Sequence, residues 1–494
     1  MNRRSLLSLI ALLSLLASPF WLRAQATHHH YVAIDLGTLG GPNSSGCVPD
    51  CRYVNNLGSV IFRADTAKPD PFASDSNDVF GDGNLELGVV WQNGVSIPLN
   101  GVPRGYNSFP YWLSDSGLVA GLAENGKIDP TTSSPEAIAT LWLSGFPITL
   151  GTLGGNASAA SSVNNIGQVV GGAANRVEDA FAGAFYNYSP LWFQPSTETH
   201  AFLWQAGFIR DLGTLGGTDS VGSVINQTGK VAGSSFTDTN VNETTGMPTM
   251  HPFLWEGGAM KDLGSLGGTV AAATFLNDNG QVIGYSNLAG DAIYHPFLWN
   301  SKGMSDLGTL GGNNGEAIWI NNAGQIVGRA DLPGSQAHHA FLWQNGEMTD
   351  LGTVDGDPCS TAYGVNSLGQ VVGDSGNDHI CPGTAHPLLW ENGGPAVDVN
   401  TLYPPFASGL TLGGLCCIND LGEMFGTGSL PNGDSHGMLI VPCDHNHPNL
   451  KGCDYALVTS EESESSASVD SARPTIASGD SDRLKPFQSG GQNQ

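Results

Sequence analysis

The stretch His295–Gly328 reads HPFLWNSKGMSDLGTLGGNNGEAIWINNAGQIVG, and related stretches recur along the chain from about residue 31 to 443. Each is a series of four short apolar runs bounded by Gly, Asn or Asp, which here are Phe297–Trp299, Met304–Leu307, Ala317–Ile320 and Gln325–Val327. Runs this short, rich in β-branched and aromatic residues, are typical of strands. The unit is therefore predicted to be a four-stranded antiparallel meander of about 45–50 residues.

Two kinds of turn signal separate these runs. Asn-Gly, the strongest short hairpin signal, follows the Trp-containing run at Asn93-Gly94, Asn345-Gly346 and Asn392-Gly393. A second signal, apolar-Asn-x-x-Gly, joins the third and fourth runs at Val54–Gly58, Val163–Gly167, Ile225–Gly229, Leu276–Gly280, Ile320–Gly324, Val365–Gly369 and Ile418–Gly422. We expect its Asn side chain to accept from backbone N–H groups and its Gly to adopt the left-handed conformation.

The number of copies indicates the fold. Trp-containing runs end at Trp91, Trp142, Trp204, Trp255, Trp299, Trp343 and Trp390, with a degenerate run at His436–Val441. Runs of the Asp-Leu-Gly type, weaker versions included, also come to eight. Four-stranded repeats of this length predict an all-β chain that forms a β-propeller of about eight blades. Seven blades is the alternative, if residues 100–144 do not form one.

The ends of the repeat region are expected to meet. The region starts on a second run, Tyr31–Leu36, and finishes on a first run, His436–Val441. Pairing of these N- and C-terminal strands would complete a blade, close the ring and remove an exposed sheet edge. The propeller domain is therefore assigned to residues 27–443.

The segments outside the repeats have other characters. Residues 1–26 are predicted to be a signal peptide, because Arg3 and Arg4 precede the apolar stretch Leu6–Leu16 and Ala24–Ala26 fits a cleavage site. Residues 444–458 form a Cys-containing extension, and residues 459–494 are predicted to be a disordered, acidic, Ser-rich tail. We expect a secreted protein, with the periplasm as alternative, and no membrane span after cleavage.

Charge and motifs limit the function. The formal net charge of −27 argues against nucleic acid or anionic lipid as a partner and is compatible with cations and neutral glycans. The sequence contains no G-x-S-x-G elbow, H-E-x-x-H pair or phosphate-binding loop. No catalytic residue is predicted, and a role other than an enzyme is favoured.

The cysteines suit an exported chain. Export permits disulfides, so all eight are candidates: Cys47, Cys51, Cys359, Cys381, Cys416, Cys417, Cys443 and Cys453. Their clustering favours local bridges, although the sequence leaves the pairing open. A metal site that includes His445 and His447 is the alternative for the C-terminal group.

Two long connections between a fourth and a first strand carry the candidate binding residues. The connection at residues 173–199 holds six aromatic residues that could stack on sugar rings: Phe181, Phe185, Tyr186, Tyr188, Trp192 and Phe193. The alternative is a small satellite core. The connection at residues 65–86 is acidic, and its weak calcium candidates are Asp75, Asp78 and Asp82. It lacks the EF-hand spacing, so a solvated acidic loop is favoured, and no other cofactor is expected.

A His precedes most of the aromatic runs, at His200, His251, His295, His339, His386 and His436. Equivalent positions on different blades lie too far apart to share a metal ion unless they line the central axis. We therefore expect each imidazole to bond its own blade's backbone or the Asp of the Asp-Leu-Gly run. A residue that is present in nearly every copy is expected to stabilise the repeated fold. The residues of a functional site should instead differ from those at the same positions of the other copies.

The motif His-Ala-Phe-Leu-Trp at His200–Trp204 and His339–Trp343 is followed by Asp-Leu-Gly-Thr-Leu-Gly-Gly at Asp211–Gly217 and Asp306–Gly312. This combination resembles the bacterial extracellular repeat called the HAF family, over nearly all of residues 31–441. The resemblance implies an exported repeat protein with a propeller fold. It implies no catalytic residue.

Three functions remain open. The first is an exported binding or adhesion scaffold that contacts a glycan or a surface protein through the long loops on one propeller face. The second is a structural component of the envelope or extracellular matrix. The third and least favoured is an extracellular polysaccharide-active enzyme, which would require two carboxylates about 5–10 Å apart at the axial mouth.

Overall fold

The computed structural model describes residues 30–46, 52–72, 83–102, 105–129, 135–181, 185, 197–354, 356–376, 385–391, 394–448 and 450–453. Within these ranges the regular structure is almost entirely β. The first four blades are β2 to β5 (Gly40–Ser45, Val60–Pro69, Asn84–Gln92, Val95–Leu99), β6 to β9 (Ser108–Leu113, Val119–Ile128, Pro135–Leu143, Phe146–Thr149), β10 to β13 (Ser158–Val163, Val169–Glu178, Thr197–Gln205, Phe208–Gly213) and β14 to β17 (Ser220–Ile225, Val231–Val241, Pro248–Glu256, Ala259–Asp262).

The next three are β18 to β21 (Gly267–Leu276, Val282–Leu288, Tyr294–Asn300, Gly303–Asp306), β22 to β25 (Gly315–Ile320, Ile326–Asp331, His338–Gln344, Glu347–Asp350) and β26 to β29 (Ser360–Val365, Val371–Ser375, His386–Trp390, Val397–Asp398). The eighth blade contains β30 to β32 (Thr411–Ile418, Met424–Ser429, Ser435–Pro442) and β1 (Tyr31–Asp35). Residues 100–144 supply β6 to β9, so the described residues form eight blades, not seven.

A blade does not begin at the same run as the sequence unit. Each blade begins with a third run as its inner strand and continues through the fourth, first and second runs to its outer edge. The stretch His295–Gly328 therefore belongs to two blades: β20 and β21 form the outer half of the fifth, and β22 and β23 form the inner half of the sixth. The repeat is most regular across this junction, where neighbouring blades pack.

An antiparallel meander places its connections alternately at its two ends. The Asn turn between the first and second strands of a blade and the hairpin between its third and fourth strands lie at one end, which we call the turn face. The connections between the second and third strands, including residues 69–84 and 178–197, lie at the opposite end, which we call the loop face. The two faces therefore carry different sequence features.

A glycine in the second strand of seven blades is explained by a bulge in the inner strand. At these positions an added Cβ would overlap the inner strand's backbone carbonyl: Gly121, Gly171, Gly233, Gly284, Gly328, Gly373 and Gly426. The first blade has Phe62 instead, fully buried and paired with Val89, where Gly233 pairs with Phe253. In the first blade the larger residue, Phe62, thus lies on the second strand and the smaller one, Val89, on the third, which is the reverse of Gly233 and Phe253.

Neighbouring blades cover one another's Trp residues. The Arg210 guanidinium of the third blade lies 5.3 Å from the ring centroid of Trp255 in the fourth, and Lys261 Nζ lies 4.6 Å from the ring of Trp299 in the fifth. Ile97 occupies the same strand register as Arg210, since they pair with Val90 and Leu203 respectively. Cation–π contacts thus cover the Trp at the junctions between the third and fourth and between the fourth and fifth blades.

The two ends of the repeat region pair in one sheet. Tyr31 pairs with Pro442 and Asp35 with Met438 along β1 and β32. The extension that follows is held by a disulfide between Cys443 and Cys453, and the backbone N–H of Cys443 donates to His30 O at 2.7 Å. The extension therefore fastens the edge of the eighth blade.

Candidate functional site

The Asn of the turn motif makes contacts within its blade and beyond it. Asn321 Oδ1 accepts from the backbone N–H groups of Ala323 and Gln325, as the sequence predicts. Its Nδ2 also donates to the backbone oxygen of the equivalent residue in the next blade, Asn366, at 2.8 Å. The same bond, 2.8–3.2 Å long, joins Asn55 to Ser114, Asn164 to Asn226, Asn226 to Asn277, Asn277 to Asn321, Asn366 to Asn419 and Asn419 to Asn55.

The residue after each Asn adds a second set of bonds between blades. Asp115 Oδ1 accepts from the N–H of Asn56, and Asp278 Oδ1 from the N–H of Gln227, both at 2.9 Å. Asp420 Oδ1 accepts from Ser367 N at 2.8 Å. The turn face therefore carries a rim of amide and carboxylate groups around the inner strands.

The inner strands just below this rim depart from the repeat. Two positions before the turn Asn, or before Ser114 in the second blade, the side chain differs from blade to blade: Tyr53, Trp112, Ser162, Val224, Phe275, Trp319, Gly364 and Cys417. The position directly before the turn Asn, or before Ser114, is by contrast apolar in every blade. Variation at this level of an otherwise regular repeat is the departure expected of a functional site.

Three of these side chains meet although one of them comes from a blade that is not adjacent to the other two. Phe275 and Trp319 have ring centroids 3.9 Å apart, and Trp112 lies 5.8 Å from Phe275 and 6.3 Å from Trp319. The second blade supplies Trp112, whereas the fifth and sixth supply the other two. Since three blades lie between those of Trp112 and Trp319 in chain order, the rings meet across the space between the inner strands.

A pocket of about 230 Å³ lies between this aromatic cluster and the rim, and we call it the axial pocket. It is lined by residues of seven blades, including Trp112, Phe275 and Trp319 and the rim residues Asn56, Asp115, Gln227, Asp278, Asn322, Ser367 and Asp420. Trp319 is only partly buried, whereas Trp112 and Phe275 are buried. The aromatic cluster forms the floor, and several rim residues are exposed to solvent.

The charged and titratable groups of the pocket have defined partners. Arg52 binds Asp115 at 2.6 Å, so this cation and this anion offset each other. Asp278 and Asp420 each accept from a neighbouring amide side chain, Asn322 and Asn56 respectively. Burial and Asp374 raise the pKa of Tyr363, which keeps its hydroxyl protonated. Burial also raises the pKa of the Cys417 thiol to about 12.

These groups determine which ligands fit. The one basic side chain among the lining residues is already paired, which disfavours an anion. Aromatic surface below, with amide and carboxylate groups above, suits a ring that has an apolar C–H face and hydroxyl groups at its edge. The pocket is smaller than the about 300–1,000 Å³ of drug-sized sites, so it admits a single ring unit.

The aromatic residues predicted on the loop face are placed only in part. Phe185 is buried, and its ring centroid lies 5.0 Å from that of Phe236, while Phe181 lies 6.5 Å from the same ring. These contacts correspond to the satellite core that was the alternative. The other four candidates lie outside the described residues: Tyr186, Tyr188, Trp192 and Phe193.

The calcium candidates Asp75, Asp78 and Asp82 also lie outside the described residues. No cluster of three or more His, Cys, Asp or Glu side chains suited to a metal ion occurs in the part of the chain that the structure describes. The pairing of Cys443 with Cys453 removes both thiols from the proposed C-terminal metal site. His447 instead lies between Asp444, at 2.7 Å, and Glu423, at 3.4 Å.

The structure describes three of the remaining six cysteines. Cys359 and Cys416 are also disulfide-bonded. The structure differs from the prediction at Cys417, which carries a buried thiol whose sulfur lies 3.6 Å from that of Cys416. Cys47, Cys51 and Cys381 lie outside the described ranges.

Five of the six repeated His residues have the expected structural role, whereas Nδ1 of His386 contacts Asp357 at 2.7 Å, in the segment before β26 and not in an outer strand. Nδ1 of His200, His251, His295 and His339 contacts the Asp of the same blade's outer strand, and His436 contacts Asp35 on the paired N-terminal strand. The hydrogen bond to Asp211 raises the pKa of His200 despite the opposing effect of burial. Burial acts to raise the pKa of Asp211, but hydrogen bonds from His200 and Gly213 N outweigh it and lower that pKa.

Comparisons with known proteins give limited similarity. No family model and no curated protein matches the chain, so the resemblance to the HAF family stays a prediction. Among solved structures, Kuenenia stuttgartiensis hydrazine synthase matches with a TM-score of 0.34 and 10% identity, over 62% of this chain and 45% of that one. Porphyromonas gingivalis dipeptidyl peptidase 4 matches with a TM-score of 0.43 and 10% identity, over 80% and 57%. The chain thus spans about half the length of these structures.

No helix among the described residues is long and apolar enough to cross a membrane.

Proposed function

We propose that this chain is an exported propeller scaffold that binds a neutral glycan, and that the axial pocket holds one sugar ring of it. The observation that carries the proposal is the cluster of Trp112, Phe275 and Trp319 beneath a polar rim. The cluster arises at the positions where the blades differ from one another. The stability of the repeated fold therefore does not explain the aromatic cluster.

The rim supports binding rather than catalysis. Asp115, Asp278 and Asp420 each accept from the backbone of a neighbouring turn, which fixes their orientation. Fixed carboxylates and amides can accept and donate hydrogen bonds to hydroxyl groups without moving. Such preorganisation lowers the entropy cost of binding.

The site differs from the one expected on the loop face. The axial pocket opens at the turn face, whereas the long connections lie at the opposite end of the blades. Both described aromatic residues of the connection at residues 173–199 pack on Phe236. The turn face is therefore the better supported binding surface.

A glycan array probed with the exported chain tests the proposal, with Trp319→Ala and Trp343→Ala as matched variants. Trp343 is also a partly buried Trp, but it lies outside the pocket. We expect specific sugar hits for the wild type, the same hits for Trp343→Ala, and a loss on the order of tenfold in affinity for Trp319→Ala, equal to about 1.4 kcal/mol. Equal loss in both variants would refute the pocket, and a blank array would favour the structural role.

A further inference from the structure

The rim of the axial pocket is a ring of hydrogen bonds between blades that is open at one junction. In six of the eight blades the backbone N–H of the residue after the turn Asn donates to the corresponding side chain of the next blade at 2.8–3.0 Å, as Asp278 N does to Asn322 Oδ1. In the second blade the N–H one position later, that of Ser116, donates to Asn165 at 3.3 Å. Among the described residues, the junction between the sixth and seventh blades alone has no such bond.

Ser367 of the seventh blade leaves the ring open. The other seven blades have Asn, Gln or Asp at this position, and those side chains accept from the preceding blade, whereas the shorter Ser367 does not. The side chain of Asn322 is turned towards the fifth blade, where it accepts from Asp278 N and donates to Asp278 Oδ2. The backbone N–H of Asn322 and the hydroxyl of Ser367 therefore have no hydrogen-bond partner within the described part of the chain.

The inner strand of the seventh blade is open at the same place. Two positions before the turn Asn it has Gly364, where the sixth blade has Trp319, so no side chain enters the axial pocket from this position. A Cβ added to Gly364 would lie 3.6 Å from Ile418 Cγ2, so a methyl group of the eighth blade borders the gap. Asn322, Gly364, Ser367 and Ile418 all line the axial pocket, and we call the gap between them the seventh-blade notch.

The notch presents two hydrogen-bond donors next to a small apolar space. A carboxylate is disfavoured there, because Asp278 and Asp420 lie on the two blades that flank this junction and repel a second anion. A ring hydroxyl would pair with the donors but leave the space beside Ile418 unfilled. An acetamido group uses both features, since its carbonyl oxygen accepts hydrogen bonds and its methyl group packs against apolar surface.

We propose that the seventh-blade notch selects a sugar that carries an acetamido group, an inference that rests on the proposed function of the axial pocket. The sugar ring stacks on Trp319, and the acetamido oxygen accepts from the N–H of Asn322 and the hydroxyl of Ser367. Trp319 and Asn322 are three residues apart in the same blade, which places the notch beside the aromatic floor. The ligand class is therefore an N-acetylated hexosamine, which is uncharged and compatible with the acidic rim.

Isothermal titration calorimetry with two matched pairs of sugars tests the notch: N-acetylglucosamine against glucose, and N-acetylgalactosamine against galactose. In at least one pair the wild type is expected to bind the acetamido sugar on the order of tenfold more tightly, equal to about 1.4 kcal/mol. Ser367→Asn supplies the side chain that closes the ring in other blades and is expected to remove this preference without weakening binding of the sugar that lacks the acetamido group. Ser116→Asn, the same change on an exposed turn outside the pocket, is expected to keep the preference.

Two outcomes would overturn the notch and leave the proposed function standing. They are array hits with no preference for the acetamido sugar in either pair, and a preference that Ser367→Asn does not change. A blank array, with none of the four sugars bound, would overturn both the notch and the sugar site. If Ser367→Asn does not fold, Ser367→Gln serves in its place, since Gln227 holds the equivalent position in the fourth blade.

Discussion

Asn419 Nδ2 donates to the backbone carbonyl oxygen of Asn55 at 2.8 Å, across 364 residues of sequence. Both residues belong to the same turn motif, one in the eighth blade and one in the first. The bond is buried, so each such Asn replaces water at a neighbour's carbonyl as well as capping its own turn. A motif that sequence reasoning assigns to local turn formation thus also joins blades.

The first prediction concerns this double role. Asn321→Ala removes the acceptor for Ala323 and Gln325 and the donor to Asn366, so the free energy of unfolding should fall by about 2–4 kcal/mol. Thermal unfolding measures the change. The control is Asn313→Ala, an exposed position whose backbone N–H donates to Ser335 Oγ, where the effect should stay within about 0.5 kcal/mol. Equal effects in both variants would contradict the double role.

The second prediction tests whether the bulge in the inner strand requires a glycine in the second strand. Gly328→Ala should be strongly destabilising, by about 2–3 kcal/mol or more, because its Cβ would overlap the carbonyl oxygen of Glu316. Gly364→Ala is the control, since its Cβ would make ordinary contacts at 3.5 and 3.6 Å to Val372 and Ile418. Chemical denaturation compares the two. If both substitutions are tolerated, the explanation for the seven glycines fails.

The third prediction concerns the C-terminal fastening. Cys443→Ser/Cys453→Ser opens a loop with a sequence separation of 10 and should lower stability by about 2–3 kcal/mol. Hydrogen exchange should increase first at β1 and β32, since Cys443 N donates to His30 O beside that pair. A variant is preferable to a reductant because Cys359 and Cys416 are disulfide-bonded as well. Unchanged exchange along β1 would argue against a fastening role.

The fourth prediction is a dependence on pH at Asp219. Burial, with Asp179 nearby, raises its pKa from 3.8 to about 7, despite hydrogen bonds from Thr199 N and Thr218 that favour the ionised form. A carboxyl group with a raised pKa in the folded state stabilises the fold below its unfolded pKa, and this contribution is lost as pH rises towards the folded value.

Asp219→Asn cannot ionise, so its melting temperature relative to the wild type should rise between about pH 4 and pH 7. Melting curves at several pH values check this. Asp238→Asn, at a partly exposed position of β15, is the control and should show no such trend. A constant difference across this range would mean that Asp219 is already ionised in the folded protein.

Sequence predicted the blades because each strand and turn is encoded within a few residues. The Trp-containing runs, the Asn turns and the His–Asp pairs such as His295 and Asp306 all follow from spacing inside one unit. The sequence did not show which of the four runs begins a blade, because a repeat of four runs can be divided at any one of them. Only the packing of inner strands around the axis decides it.

The axial pocket could not be located from the sequence for a related reason. Trp112 is 163 residues from Phe275 and 207 from Trp319, and only the arrangement of the blades brings these rings together. The sequence did contain a signal for the site, at the position two residues before the turn Asn. The residue at this position differs from copy to copy, although the turn motif that follows it is repeated. The prediction placed the site on the loop face instead, because long connections such as residues 173–199 are rich in aromatic residues.

A crystal structure of the chain with the best sugar from the array is the sharpest test of sugar binding in the axial pocket. We expect density for one sugar ring against Trp319 in this pocket, with its hydroxyl groups bonded to rim residues such as Asp278 and Asp420. Sugar density on the loop face, beside residues 173–199, with the axial pocket holding only water, would contradict it.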